Sequence, residues 1–302
     1  MKTQTNAKVA TRLGLLSIGL SAALWGTIGI FVQLIYRLVD TNPLSICFLR
    51  LAIAAPLLFF TCQFTLKGRM VQIAGRDLGL MLLVGGMTAF SQVCYFAAIA
   101  QIGVAVATLI TICTVPVWVG LLASVLLHER LTPKIILAGI CATAGTILLI
   151  GVQPELVTSP DVVLGSLLAT ASAVAYAFVI LCSRMLAGQY HPLQTLTVGF
   201  GAGAVVLLPF TLATGFVIHY PILGWLFLVY LAVVPTAMAY LLYFSGIRHT
   251  TATIASLLTL LEPFTATLLA WWFLGEQLSS LGWLGAIGLL GAIGLLYLDQ
   301  IR

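Results

Sequence analysis

Ten apolar runs, each about as long as a bilayer is thick, leave this chain little choice of fold. They lie at about 13–35, 43–64, 78–99, 103–127, 133–151, 162–186, 192–214, 221–246, 250–274 and 278–298. A spanning helix needs roughly 20 apolar residues to cross a ~30 Å hydrocarbon core. The breaks between runs are short and carry turn or charge signals: Asp40-Thr41-Asn42-Pro43, Lys67-Gly68-Arg69, His128-Glu129-Arg130, Gln153-Pro154. Charged residues make up 7% of the chain, against roughly 25% in a soluble domain, so the surface cannot face water. The sequence therefore predicts an all-α polytopic membrane protein of ten transmembrane helices, with the lipid bilayer as its solvent. The first run continues from Leu13 past Trp25 to about Ile35. That exceeds the ~7–15 residues of a cleaved signal core, so it reads as an uncleaved first span behind a cytoplasmic segment, 1–12.

Basic residues orient the bundle, because Lys and Arg accumulate in cytoplasmic loops. With the N-terminus inside, Lys2, Lys8, Arg12, Lys67, Arg69, Arg76, Arg130, Lys134, Arg184, Arg248 and Arg302 all fall at cytoplasmic ends. Arg37 alone falls outside, and Arg50 lies within the second run. This bias accounts for the net charge of +5 without a nucleic-acid partner. It places both termini in the cytoplasm of an integral protein of a bacterial-type cytoplasmic (inner) membrane. Cys47, Cys62, Cys94, Cys113, Cys141 and Cys182 stand singly in apolar runs with no C-x-x-C spacing, so neither a disulfide framework nor a metal site is expected. No cofactor is implied.

The longest external connection, 152–161, divides the chain into repeats at 13–151 and 162–298, and the two resemble each other. Pro116 and Glu129 have the same separation as Pro263 and Glu276. Between them Leu121-Leu122-Ala123 matches Leu268-Leu269-Ala270. Tyr95-Phe96 matches Tyr243-Phe244, Pro43-Leu44 matches Pro192-Leu193, and Ser21-Ala22 matches Ser172-Ala173, all in the same order. Each half holds five spans, an odd number, so the second is expected to enter the membrane upside down. Two inverted five-helix repeats around a midplane site are a recurring transporter architecture.

With these residues in view, the chain resembles the EamA family of the drug/metabolite transporter superfamily. The resemblance covers nearly the whole chain, Leu13 to Leu298, and rests on Ala23-Leu24-Trp25-Gly26, Phe48-Leu49-Arg50, Pro116 to Glu129, and Glu262-Pro263 to Gly275-Glu276. It implies export or exchange of small metabolites, amino acids and drugs. In the first half Val115 stands where the second has Glu262, and Gly199 stands opposite Arg50, so the halves are chemically unequal.

Glu262 is the acid set deepest in an apolar run. An ionisable group at mid-membrane is costly and marks a pathway by default, although a kink with a locally bonded acid is the plainer reading. At ~1.5 Å per residue Glu262 lies about 18 Å along its helix, and Arg50 about 10 Å below the outer face. The two share nearly one depth. If paired, Glu262 would gate or anchor a ligand; if unpaired, it could exchange protons. Pro116 and Pro263 each free the carbonyl four residues back, marking sites of bending or gating. Thr111, Thr114, Ser256 and Thr259 are placed to satisfy such carbonyls, and Ser256, Thr259 and Glu262 share one helix face. Trp25, Tyr95, Tyr176 and Tyr243 are candidates for cavity walls, and Gln92 adds uncharged polarity; packing or interfacial roles are the alternative for each and for Tyr240, a further aromatic of the eighth span.

The glycines at 282, 285, 288, 291 and 294 suit close helix packing, either internal or in a homodimer. Glu129 and Glu276 sit at helix ends, where a solvated charge is the default and a hinge or cap is the sharper reading. The expected function is a secondary transporter, an exporter of small metabolites or amino acids working by alternating access and coupled to protons if Glu262 titrates. A multidrug or organic-cation exporter and a passive channel are the alternatives. A membrane-embedded enzyme is disfavoured, because the chain has no H-E-x-x-H and no G-x-S-x-G.

Overall fold

The computed structural model describes residues 2–67, 72–150, 162–275 and 279–301. The expected connection 152–161, together with Arg69 and Glu276, lies outside the described residues. Among the described residues, ten helices are long and apolar enough to cross a membrane. They are α1 (Val9–Leu38), α2 (Pro43–Leu66), α3 (Gly75–Val104), α4 (Val106–Leu126), α5 (Pro133–Ile150), α6 (Val162–Leu186), α7 (Pro192–Ala213), α8 (Ile222–His249), α9 (Ala252–Phe273) and α10 (Ser280–Asp299).

Proline and capping residues set where these helices begin. Pro43, Pro133 and Pro192 open α2, α5 and α7, positions where the missing N–H costs nothing and the fixed φ suits a helix. Asn42 caps α2 by accepting the Ser45 N–H at 2.8 Å. Its own amide donates to the Gly215 carbonyl at 2.6 Å, joining the α1–α2 turn to the α7–α8 turn. At the opposite end Lys134 pairs with Asp299 at 2.7 Å, and the Tyr190 hydroxyl donates to Asp77 at 2.7 Å.

Side-chain sizes then decide the packing. Gly14 of α1 and Gly246 of α8 are so close that a Cβ on Gly14 would lie 2.9 Å from the Gly246 carbonyl. A Cβ on Gly145 of α5 would lie 2.8 Å from the carbonyl of Gly285 in α10. Gly85 of α3 abuts Gly199 and Gly203 of α7. Such small-residue seams replace the hydrophobic drive that lipid cannot supply. Of the α10 glycine series, Gly285 makes that internal seam, whereas Gly288, Gly291 and Gly294 face open space. The large apolar side chains point outward, among them Phe60, Phe64, Val117, Val125, Ile140, Leu284 and Ile287. The seams also come in pairs. Helix α1 packs on α8 and α9, and α6 packs on α3 and α4; α2 meets α8 as α7 meets α3. Helices α5 and α10 pack on each other at one side of the bundle.

Candidate functional site

The polar interior forms where α9 and α8 depart from regular geometry. Helix α9 consists of a buried first segment, Ala252–Leu258, and a second, Leu261–Leu269, with a break at Thr259–Leu260. Proline cannot donate to the carbonyl four residues earlier, and for Pro263 that carbonyl belongs to Thr259. It accepts the Glu262 N–H instead, at 2.9 Å. Hydroxyls continue the pattern towards the start of α9: Thr259 Oγ1 donates to the Ser256 carbonyl at 2.6 Å, and Ser256 Oγ to the Thr253 carbonyl at 2.7 Å. The break places Glu262 in the first turn of the second segment, half-buried. Among the described residues no side chain forms an ion pair with its carboxyl.

Helix α8 carries the second departure, a π-helical stretch Ala232–Met238 around Pro235. Here the carbonyl freed by proline is that of Leu231, and Thr236 Oγ1 donates to it at 2.7 Å. The same oxygen accepts both Nε and Nη2 of Arg50, at 3.1 and 3.0 Å. Arg50 is therefore held by Thr236, not by Glu262. A small cavity opens beside it, lined by Cys47, Thr88, Gln92, Phe200, Thr236 and Tyr240. About 20 Å³ of it admits a water-sized sphere, room for a single molecule.

Helix α4 retains helical backbone through buried Pro116; the departure lies at Gly103, with φ 77° and ψ 165°, where α3 turns into α4. Thr114 Oγ1 donates to the Ile110 carbonyl at 2.7 Å, and Thr111 Oγ1 to the Ala169 carbonyl of α6 at 3.3 Å.

The structure brings several of the expected aromatic residues together. The ring of Trp25 lies 4.9 Å from that of Tyr240 and 5.4 Å from that of Tyr243, and Phe200 stands 5.1 Å from Tyr240 on the other side. Tyr240 also lies within electrostatic reach of both Arg50 and Glu262, and close to Tyr176. Tyr95 bonds Thr108 at 2.6 Å, and Gln92 Oε1 accepts a weak bond from Cys47 Sγ at 3.5 Å. The Ser21 hydroxyl, the Trp25 indole N–H and the Tyr243 hydroxyl are buried without a hydrogen-bond partner among the described residues.

Sequence reasoning missed Thr236 and Phe200 and named Tyr240 only as an aromatic of the eighth span; for Glu129 it offered a hinge or a cap, and the structure shows a cap. The signal for Thr236 was present: Pro235 interrupts an apolar run and is followed by a hydroxyl, the same logic that singled out Pro263. Glu129 accepts the N–H groups of Ala252 and Thr253 at 2.7 and 3.1 Å and the Thr253 hydroxyl at 2.9 Å. It thereby fixes the start of α9.

The sequence matches the EamA-like transporter family twice, over residues 12–151 and 163–298. A relative from Archaeoglobus fulgidus, described as an uncharacterized transporter, is 31% identical over 89% of this chain and 90% of its own. The uncharacterized inner membrane transporter YicL of Salmonella typhimurium is 29% identical over 97% of this chain and 98% of its own. One solved crystal structure superposes with a TM-score of 0.81 over 97% of this chain and 99% of that one. At 21% identity it speaks to the fold.

Proposed function

The chain belongs to the EamA-like transporter family, and on that footing we propose that it exports small zwitterionic metabolites, amino acids foremost, by alternating access. The observation that carries this reading is Glu262. Its carboxyl sits midway along a broken helix, in a protein interior, without an ion-pair partner among the described residues. A carboxyl in that position can exchange a proton or hold an ammonium, and it would be costly to keep for any other purpose. Arg50, anchored on Thr236 beyond Tyr240, supplies the opposite charge. When a cargo ammonium leaves Glu262, Arg50 is the cation that can replace it.

The rest of the architecture supports the same reading. Two family matches with five spans each put the copies in opposite senses if every span crosses, and the paired seams of α1 with α8 and α9, and of α6 with α3 and α4, fit that exchange. Inverted repeats enclosing a midplane site rock about it to alternate access. The basic end of the bundle, with Arg12, Lys67, Arg76, Arg130, Lys134, Arg184 and Arg248, would face the cytoplasm of a bacterial inner membrane.

A second reading, export of organic cations, is favoured by the aromatic cluster Trp25–Tyr240–Tyr243, which suits cation–π contacts. Both are tested by transport into proteoliposomes holding the purified protein, with the twenty amino acids and tetraphenylphosphonium as cargo. Glu262→Gln is expected to fold, to lose coupled transport, and to lose its dependence on pH. An unchanged rate and pH profile would remove Glu262 from the mechanism. Transport of tetraphenylphosphonium alone would replace the amino-acid reading by the second.

A further inference from the structure

Spacing matches α1 with α6, α3 with α8 and α4 with α9, so each position in one seam has a counterpart in the other. In the α3–α4–α6 seam the polar groups are paired. Ser91 and Ser172 bring their hydroxyls to 3.0 Å, and each also reaches the other's carbonyl, at 3.0 and 2.9 Å. Tyr95 bonds Thr108. In the α8–α9–α1 seam Ser21 stands for Ser172 and Tyr243 for Tyr95, but the partners are gone: Ala239 stands for Ser91 and Ala255 for Thr108. Trp25 stands for Tyr176.

The consequence is visible in the burial. Five side-chain polar atoms are buried without a hydrogen-bond partner among the described residues, and three of them are Ser21 Oγ, Trp25 Nε1 and the Tyr243 hydroxyl. Their residues are 0%, 4% and 1% exposed. A hydroxyl can turn towards a nearby backbone carbonyl, but an indole N–H is a donor only and cannot. Unpartnered buried donors are rare in folded proteins because their lost hydration is not repaid. The three lie on one seam, opposite a seam where the matching Ser172 and Tyr95 are satisfied. The seam also adjoins the unpaired acid: Gly26, next to Trp25, packs so closely on α9 that a Cβ there would lie 2.8 Å from the Glu262 carbonyl oxygen.

We propose that Ser21, Trp25 and Tyr243 form a hydrogen-bonding subsite that receives the carboxylate of an amino-acid cargo while Glu262 takes its ammonium. Trp25 Nε1 can only donate, and the hydroxyls of Ser21 and Tyr243 can donate beside it, a set that suits an anionic or carbonyl oxygen. The α3–α4–α6 seam keeps its polar groups paired; the α8–α9–α1 seam, whose α9 carries the acid, leaves three of them free for cargo. This rests on the transport reading above and names where on the site the cargo is recognised.

Tyr243→Phe separates recognition from a merely tolerated hydroxyl. Removing a buried hydroxyl that lacks a partner should raise the Tm of the detergent-purified protein. The subsite further requires that KM for the transported amino acid rise at least tenfold in proteoliposomes, with kcat less affected. It also requires the wild-type preference for that amino acid over its decarboxylated amine to shrink by a similar factor. Trp25→Phe should weaken the same preference. Ser91→Ala, which breaks the paired seam, should lower Tm and leave KM and the preference intact. A higher Tm with unchanged KM and preference in Tyr243→Phe overturns the subsite while transport itself stands. If the wild-type protein moves none of the twenty amino acids, the cargo class proposed above fails, and the subsite fails with it.

Discussion

The carboxylate of Glu129, just past the end of α4, accepts the backbone N–H of Ala252, where α9 begins, at 2.7 Å. The contact crosses from the first family unit to the second. From Glu129 a ladder of three-residue steps runs through Thr253, Ser256 and Thr259 to the Glu262 N–H. Every link is a hydrogen bond inside a segment that is buried from Ala252 to Leu258. The position of Glu262 is therefore referred, through this segment, to a carboxylate at the end of the bundle.

Glu129→Ala leaves the Ala252 and Thr253 N–H groups without their acceptor. Loss of a charged cap costs about 1–3 kcal/mol, seen as a fall in Tm, and transport should fall with it because the ladder loses its fixed end. Glu129→Gln retains one acceptor oxygen and is expected to recover part of both. If Glu129→Ala matches the wild-type protein in Tm and rate, the ladder does not position the acid.

Thr236 does double duty, donating to the carbonyl that Pro235 leaves free and accepting from Arg50. Thr236→Val keeps the shape and removes both bonds. A double-mutant cycle with Arg50→Gln should give a coupling of about 1–3 kcal/mol in stability, and Thr236→Val alone should slow transport. Independent, additive effects would mean that the bond does not orient Arg50.

Much of this fold was legible in the residues because a bilayer accepts so few solutions. Pro43 and Pro192, matched from sequence, both open helices, and the ten runs are ten helices. The place of Glu262 midway along its helix was also legible, since the bounds of the apolar run are close to those of the helix. Its partner was not. Arg50 and Glu262 share nearly one depth in sequence, but azimuth around the bundle decides contact, and Thr236, in the π-helical turn beside Pro235, holds Arg50 instead. For Glu129 a hinge or cap was legible but not the helix it caps, because that depends on which helix ends adjoin across the bundle.

Close seams make a sharper test of the packing. A Cβ on Gly85 would run into the Gly199 carbonyl, a backbone atom that cannot turn aside, whereas one on Gly86 meets nothing within 4 Å. Gly85→Ala is expected to abolish folded, monodisperse protein on size-exclusion chromatography, and Gly86→Ala to be neutral or slightly stabilising, as alanine favours helix. Equal behaviour of the two variants would contradict the α3–α7 contact.

His191 gives the fold a dependence on pH that is separate from transport. It caps α7: its Nδ1 accepts the Leu193 N–H at 3.3 Å, while Gln194 Oε1 accepts the His191 N–H at 3.1 Å. Protonated Nδ1 is a donor and cannot hold that bond. Partial burial, and then the nearby Arg248, hold the imidazole pKa below the ordinary value. The folded state thus prefers the neutral ring. Its contribution is present above the unfolded value of about 6.5 and is lost as pH falls through the lower folded value. The Tm of the purified protein should fall between about pH 7 and pH 5. His191→Asn, which supplies a cap without a titrating group, should flatten that part of the profile. A wild-type Tm that stays level over this range, or an equal fall in His191→Asn, would show that the stability of the α7 start does not depend on this proton.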